Sequence, residues 1–544
     1  MREYLRTAIA QALHHVGIPA PGAIVVERPR GDGHGDLTTN VALAAAKQAG
    51  MKPRDLAQQI AAHLAVDPAM VAHVEVAGPG FINVTFTEAF FRRQMEQLLT
   101  EGESFGRSHA GHGKRIQVEF VSANPTGPLT VGHGRGAVFG DTVARMLEWT
   151  GHEVEREYYF NNAGRQMRIL GDSVRLRYLE LLGDAVDFPA DYYQGEYIRE
   201  IAAHARAQKG DGLRQEPAEG FFKSIAEEEI FADIRKTLES IGIVFQSFYN
   251  EHSLYTEGKI NAVIEALTLR GLTYEQDGAL WFKTSTLGNE KDKVIVKSSG
   301  EPTYRLPDIA YHVEKFKRGY DTMIDIFGAD HIATYPDVLA ALKALEYDAG
   351  KVKVLIHQFV TITQGGEVVK MSTRKANFIT LDELIADVGA DVVRYFFLMR
   401  TISSHLNFDL ALARQQSDEN PVYYLQYAHA RICNILRYAE KEGHAIAPGG
   451  NGVDLLTAPE EMTLIRRLLQ FPEVVESCAL AQEPHRLADY LHDVAGLFHA
   501  FYHHHRVVTP DAAMTSARML LCRAVQTVLR NGFVILGIGA PEQM

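Results

Sequence analysis

Apolar residues recur along this chain with two periods, and the changes between them divide it into parts. Leu5, Ile9 and Leu13 lie one turn apart and predict an amphipathic first helix; Leu56, Ile60 and Leu64 predict another. A short strand pattern follows at 80-GFINVTF-86, after a glycine-rich turn at 31-GDGHGD-36. The Gly- and Ser-containing run 101–114 reads as a linker. The apolar run 116-IQVEFV-121 predicts a buried strand. After a loop, Ala137, Val138, Val143, Met146 and Leu147 recur at helical spacing. Residues 150–300 hold charged helical patterns without internal repeats. Further strands are predicted at 323–328 and 353–360, with a helix from Val338 to Leu345 between them and a hairpin turn at Gly365-Gly366. From about 415 onward the period is helical, broken at 446–452 and at Pro484. Strand–loop–helix units around a long insertion, followed by helices alone, predict an α/β fold. A Rossmann-like parallel-sheet domain carries the insertion, preceded by an α+β module and followed by an all-α bundle.

A chain of 544 residues exceeds what one core supports, so several domains are expected. Hydrophobic content of 46% and charged content of 23% are those of an ordinary globular protein. No apolar run approaches the roughly 18 residues of a membrane span. Glu3, early in the first helix, argues against a targeting peptide. Cys433, Cys478 and Cys522 are far apart, which fits neither a disulfide framework nor a zinc site and suggests the cytoplasm. The run 503-HHH-505 places its imidazoles in different directions on a helix, so a surface role is favoured over metal binding. Net charge is 55 − 68 = −13, which excludes indiscriminate nucleic-acid binding but not a specific site. Residues 421–544 carry ten Lys/Arg and twelve Asp/Glu, hence −2, leaving −11 for the rest.

Candidate chemistry begins at 122-SANPTGPLTVGHGRGAVFGD-141. Three readings are open for its GHGRG core: a tight turn, a dinucleotide fingerprint, or a nucleotidyl-transfer loop. Gly132-x-Gly134-x-Gly136 has the wrong spacing for the fingerprint, and no GxxxxGK[ST] occurs. In the third reading a glycine lets adenine approach the backbone, His133 donates to phosphate, and the helix N-terminus adds positive potential. A second cluster decides for it. Lys370, Met371, Ser372, Thr373 and Arg374 follow the hairpin turn, where a basic loop can neutralise charge growing on a phosphate during attack.

The pair of VGH and KMSTR resembles the HIGH and KMSKS signatures of class I aminoacyl-tRNA synthetases. With 304-YRLPDIAYH-312, 328-GADH-331, 420-NPVYYLQYAHAR-431 and 530-RNGFVILGIGAPEQM-544, the full chain resembles the arginyl-tRNA synthetases. The resemblance implies ATP-dependent activation of L-arginine and transfer to tRNA(Arg), with ATP arriving as its Mg²⁺ complex and no protein-bound zinc. It implies activation only when tRNA is present. It further implies a cytoplasmic monomer without membrane or DNA partners, and three parts: residues 1–110 at the tRNA elbow, 111–400 for catalysis with an insertion at about 170–300, and 401–544 as stem and anticodon-binding domain.

By the same resemblance, Glu119, Ser122, Asn124, His133, Tyr304 and Asp308 hold arginine; a guanidinium is planar, permanently charged and suited to carboxylates. ATP falls to Ala123, Asn124, Pro125, Thr126, Gly127, Pro128, Leu129, Thr130, Val131, Gly132, His133, Gly134 and Met371. His133, Lys370, Ser372 and Lys375 are the catalytic candidates, and Asn420, Tyr423, Tyr427, Arg431, Tyr502 and Arg506 the tRNA-binding ones. Two departures stand out. Thr130 replaces the first signature histidine, and Thr373 the second signature lysine, while Gly127 occupies the place where some relatives carry a substitute lysine. Lys375, Arg374 or Lys370 must then carry that charge. Two rivals remain: a small-molecule adenylating enzyme of the same fold, and a catalytically weakened tRNA-binding paralogue.

Overall fold

The computed structural model describes residues 1–29, 31, 33–369, 379–445 and 452–544, and divides into two compact units. One unit is assembled from three stretches, Met1–Phe105, Arg431–Phe471 and Gly496–Val528. Its sheet contains β1 (Val26–Glu27), β2 (Leu37–Thr39), β3 (Val71–Ala77) and β4 (Phe81–Phe86), antiparallel in the order β1-β2-β4-β3. Only β4 shows a strand pattern in sequence. The first two strands are too short for a period to register, and β3 buries only Val71 fully. The predicted helices form at Arg2–His15 and Pro53–Ala62, burying Leu5, Ile9, Leu13, Leu56 and Ile60. Helix Glu88–Glu101 fastens later sequence to this module: Arg92 donates to the Leu456 carbonyl at 3.1 Å.

The second unit contains Gly106–Ala430, Pro472–Ala495 and Leu529–Met544. Its strands begin with β5 (Arg115–Glu119), β6 (Glu153–Phe160) and β7 (Ser247–Asn250). A small antiparallel sheet follows, β8 (Thr273–Gln276), β9 (Ala279–Phe282) and β10 (Lys293–Val296). Then come β11 (Thr322–Gly328) and β12 (Val352–His357), and a three-stranded sheet of β13 (Val360–Gln364), β14 (Glu367–Val368) and β15 (Leu406–Asp409). The central sheet is parallel throughout, ordered β12-β11-β5-β6-β7. The chain starts in the middle at β5, builds outward through β6 and β7, then returns to the other side of β5. The carboxyl ends of β5 and β11 thus flank the topological switch point, where open α/β sheets place their ligands.

The expected insertion at 170–300 is interrupted by β7, a strand of the central sheet. Four residues, SFYN, gave no apolar run to read. Helix Val131–Trp149 buries nearly its whole length behind β5, and Gly140 allows this: a Cβ there would lie 2.3 Å from the Phe120 ring. Buried Arg394 donates to Asp141 on that helix and to the carbonyls of Ile241 and Leu536. Among the described residues one helix, Ala512–Leu536, meets the length and composition of a membrane span, but 72% of its apolar window is buried within the protein, as in a core helix.

Candidate active site

The strand β5 ends in a turn that ordinary residues avoid. Val121 and Ser122 have φ of 68° and 42°, two consecutive non-glycine residues in left-handed conformation. Each costs about 1–3 kcal/mol unless the surroundings enforce it. Here they do: the Ser122 N–H donates to the Phe120 carbonyl at 2.9 Å, its hydroxyl donates to Glu119 Oε1 at 3.0 Å, and the Tyr159 N–H donates to that hydroxyl at 3.1 Å. The turn swings the chain across the sheet end. The next residues are pinned in sequence: Tyr158 donates to the Ala123 carbonyl at 2.8 Å, Asn124 to Gln166 Oε1 at 2.5 Å, and Tyr197 to the Thr126 carbonyl at 2.7 Å. Gly127 is closed to larger residues, because a Cβ would lie 2.9 Å from the Tyr197 hydroxyl. Pro125 and Leu129 are buried, and Pro128 lies between.

Thr130 and His133 then form the cap of helix Val131–Trp149. The Thr130 N–H donates to His133 Nδ1 at 3.1 Å, with the Thr130 hydroxyl 3.2 Å from the same nitrogen. A nitrogen that accepts an N–H carries no proton itself, so the neutral ring holds its proton on Nε2. His133 is thereby set to donate. Burial holds its pKa below the usual value, opposed by nearby Asp330. Thr130, in place of a first imidazole, is the residue that fixes this tautomer. Val131, Gly132 and His133 head the helix, where N–H groups lack intrahelical partners and the dipole favours an anion. Close approach explains the next glycines: a Cβ at Gly134 would lie 2.6 Å from Leu381, and one at Gly136 would lie 3.1 Å from His357 Nε2. Burial, then the Arg135 charge, push the His357 imidazole down to about 4, so it is neutral. Lys370, Met371, Ser372, Thr373, Arg374 and Lys375 lie outside the described residues.

Beside this loop lies a pocket with more carboxylates than cations. Lys315, fully buried, donates to Glu119 Oε2 at 2.5 Å and to Asp325 Oδ1 at 2.6 Å. His312 joins Asp325 Oδ2 at 2.8 Å and the Asp308 carbonyl at 2.7 Å. Against the cost of burial, Lys315 and His312 hold the Asp325 carboxyl well below the usual range. Asp308 and Glu251 have no such compensation. Burial, reinforced by Glu251 and Glu119, raises Asp308 to about 7 even with His312 and Lys315 near. Burial raises Glu251 to about 7, even though the nearby Tyr159 and Tyr255 hydroxyls favour its ionised form. Tyr159, Tyr249 and Tyr311 wall this side, with ring centroids 4.5–6.2 Å apart. Four carboxylates thus face one lysine and one histidine. A guanidinium would supply the missing charge.

Of the residues expected to hold arginine, the structure brings Glu119, Ser122 and Asp308 to this pocket. Glu119 uses both oxygens on Lys315 and Ser122, and Tyr304 is 72% exposed, one turn before Asp308. Glu251 and Tyr159 escaped the sequence reading. Glu251 follows the unread strand β7 and belongs to no motif, though an acid directly after a sheet strand was a usable signal.

The tRNA-binding candidates separate by environment. Asn420 is 2% exposed and caps helix Pro421–Lys441: its amide donates to the Ala413 and Gln415 carbonyls, and its oxygen accepts from the Val422 N–H at 3.1 Å. Such a side chain is structural, and the expectation that it meets RNA gives way to a capping role. Tyr423 and Tyr427 are partly exposed and stack on one another at 6.0 Å. Arg431 lies over the Tyr502 ring at 5.6 Å, and both Tyr502 and Arg506 are exposed, leaving an aromatic–cation surface.

Three family models match the chain in order: the arginyl tRNA synthetase N-terminal domain over residues 3–86, the class I (R) tRNA synthetase catalytic domain over 94–394, and the DALR anticodon-binding domain over 425–544. An arginine–tRNA ligase from Chlorobium phaeobacteroides is 53% identical over 553 residues, covering 100% of both chains. A solved Campylobacter jejuni structure described as an arginyl-tRNA synthetase is 33% identical and covers 84% of this chain and 100% of its own, with a TM-score of 0.76. The Thermus thermophilus arginyl-tRNA synthetase, 24% identical with 100% of both chains covered and a TM-score of 0.76, shares the fold. With its switch-point loop, its acidic pocket and full-length kinship to these proteins, the chain belongs to the arginyl-tRNA synthetase family of class I.

Proposed function

We propose that this protein is an arginine–tRNA ligase. It activates L-arginine with ATP and transfers the arginyl group to tRNA(Arg), as a cytoplasmic monomer. One observation carries the reading: an under-compensated carboxylate pocket, with Glu251 and Asp308 raised to about 7, lies beside a helix N-terminus whose His133 is fixed as a donor.

The carboxylates take the guanidinium, and the strained Val121–Ser122 turn sets Asn124 to orient the amino-acid end. An oxygen of the arginine carboxylate attacks the α-phosphorus of ATP, the new C–O–P link forms, and pyrophosphate leaves. His133 Nε2–H and the helix N-terminus oppose the charge that grows on phosphate. ATP would arrive as its Mg²⁺ complex, in which the cation would shield the phosphates. The hydroxyl of the tRNA terminal ribose then attacks the arginyl carbonyl and AMP leaves. Helix Pro421–Lys441 and the Arg431–Tyr502 surface are the proposed RNA contacts, through stacking and phosphate pairing.

Arginine-dependent ATP–pyrophosphate exchange, with and without tRNA(Arg), tests this. Exchange that requires both arginine and tRNA is expected. Binding of tRNA with no exchange would overturn the reading in favour of a weakened paralogue. In the same assay Lys375→Ala should lose exchange about 100-fold if Lys375 replaces the absent second lysine; an unchanged rate returns that role to Lys370 or Arg374.

A further inference from the structure

The helix that carries His133 also carries a buried cation whose hydrogen bonds all go to neutral carbonyls. Arg135 is 1% exposed. It donates to the carbonyls of Gln358 and Ser404 at 2.8 Å each and of Thr401 at 3.0 Å. None of these acceptors is charged, and burial lowers its pKa to about 10, leaving it a cation at neutral pH. Burying a guanidinium without a counter-ion is a poor way to gain stability. What its planar fork offers instead is fixed geometry toward several acceptors at once.

Those acceptors come from two separate segments. Gln358 lies between β12 and β13, and Thr401 and Ser404 lie in the segment before β15, the parallel partner of β13 in the register Val360↔Leu406. The segments are already joined, since the Gln358 N–H donates to the Ile402 carbonyl at 3.1 Å and the Leu406 N–H to Phe359 at 3.2 Å. Arg135 ties this pair to the helix. Two further ties meet the same helix start: Gly136 packs against His357 at the end of β12, and the Leu381 N–H donates to the Leu129 carbonyl at 2.8 Å, beside a bridge between Thr130 and Thr380. In sequence, the residues from Lys370 to Lys375 fall between β14 and Thr380. Thr380 and the segments leading into β13 and β15 are therefore all fastened near the loop that presents His133.

We propose that Arg135 is a positioning residue that fixes the start of the helix presenting His133 against the segments leading into β13 and β15, so that ATP seated at His133 is held in a productive geometry. It does so through backbone carbonyls and touches no substrate. The proposal rests on the ligase reading, whose own test is exchange by the unaltered protein.

The test is Arg135→Lys, which keeps a cation but cannot reach three carbonyls with one ammonium. A displacement of about 1 Å in a reacting geometry can cost about 100-fold in rate. We expect tRNA-dependent exchange to fall about that far in kcat, with KM for ATP raised and the dissociation constant for arginine, measured by calorimetry without tRNA, within twofold of the unaltered protein. Exchange retained within threefold overturns the proposal, and so does a parallel loss of arginine affinity, which marks general structural damage. Gly136→Ala is the second variant, and decides the matter if Arg135→Lys fails to fold. It crowds the His357 imidazole at the end of β12 against the same helix while leaving the cation in place. It should show the same ATP-specific loss, and unchanged exchange would count against the proposal.

Discussion

Arginine binding should expel protons. In the empty pocket Asp308 and Glu251 each titrate at about 7, the first raised by burial and by Glu251 and Glu119, the second by burial. The groups facing them are Glu119 from β5, Tyr159 from β6, Tyr255, and His312 and Lys315 from helix Arg305–Lys317, and their single full cation is already shared by Glu119 and Asp325. A guanidinium binds the ionised carboxylates, so its affinity follows their ionised fraction, which is about 0.1 at pH 6, 0.5 at pH 7 and 0.9 at pH 8 for a group titrating at 7. If one group must ionise, affinity for arginine drops about tenfold from pH 8 to pH 6; if both must, the drop approaches about 100-fold, with coupling placing the result between. At pH 7 about half a proton is released per arginine bound in the first case and about one in the second. Calorimetry in two buffers of different ionisation enthalpy reads that proton directly, and titrations from pH 6 to 8 read the affinity. A dissociation constant flat across this range, with no proton released, would refute the account of the pocket. The sign for stability is opposite. These carboxyls hold protons in the folded protein that the unfolded chain has lost above about pH 4, so the ligand-free protein weakens as pH rises toward 7.

Three substitutions probe the remaining parts of the site. Glu251→Gln should raise KM for arginine by about 10- to 150-fold, the worth of one charge-assisted hydrogen bond at about 1.5–3 kcal/mol, while KM for ATP stays within twofold in steady-state exchange. Lys315→Met leaves Glu119 and Asp325 buried without their cation and should destabilise the fold by about 3–5 kcal/mol, seen as a lowered urea midpoint. Asn420→Ala should cost about 1–2 kcal/mol by the same measurement through loss of a helix cap, with tRNA affinity within twofold; a large loss of affinity at unchanged stability would restore Asn420 as an RNA contact.

The parts of this protein that announce themselves in sequence are those where one local rule acts alone. The run 116–121 reads as a strand because both faces of β5 are covered, and the following helix reads because its apolar residues pack behind that strand. Residues assembled from distant segments do not announce themselves. Lys315 and Asp325 neutralise one another across a helix and a strand, and nothing near either residue says so. Glu251 acquires its meaning only once β7 stands next to β6, bringing it toward Tyr159 and Asp308. The left-handed turn at Val121 and Ser122 runs against residue preference, so preference could not find it. Asn420 carries a legible signal, since Asn followed by Pro at the first helical position is a cap signature, but the neighbouring tyrosines draw attention to RNA instead.

The order of synthesis gives the three-part unit a timing problem. Met1–Phe105 emerges from the ribosome first, yet the other stretches of its unit begin only at Arg431. At about 5–20 residues per second, the intervening stretch takes roughly 15–65 s to appear. During that interval the carbonyl of Leu456, which Arg92 will bind, does not yet exist, nor does Phe471, the stacking partner of Phe105. The N-terminal module must wait as an unfinished surface until those residues arrive.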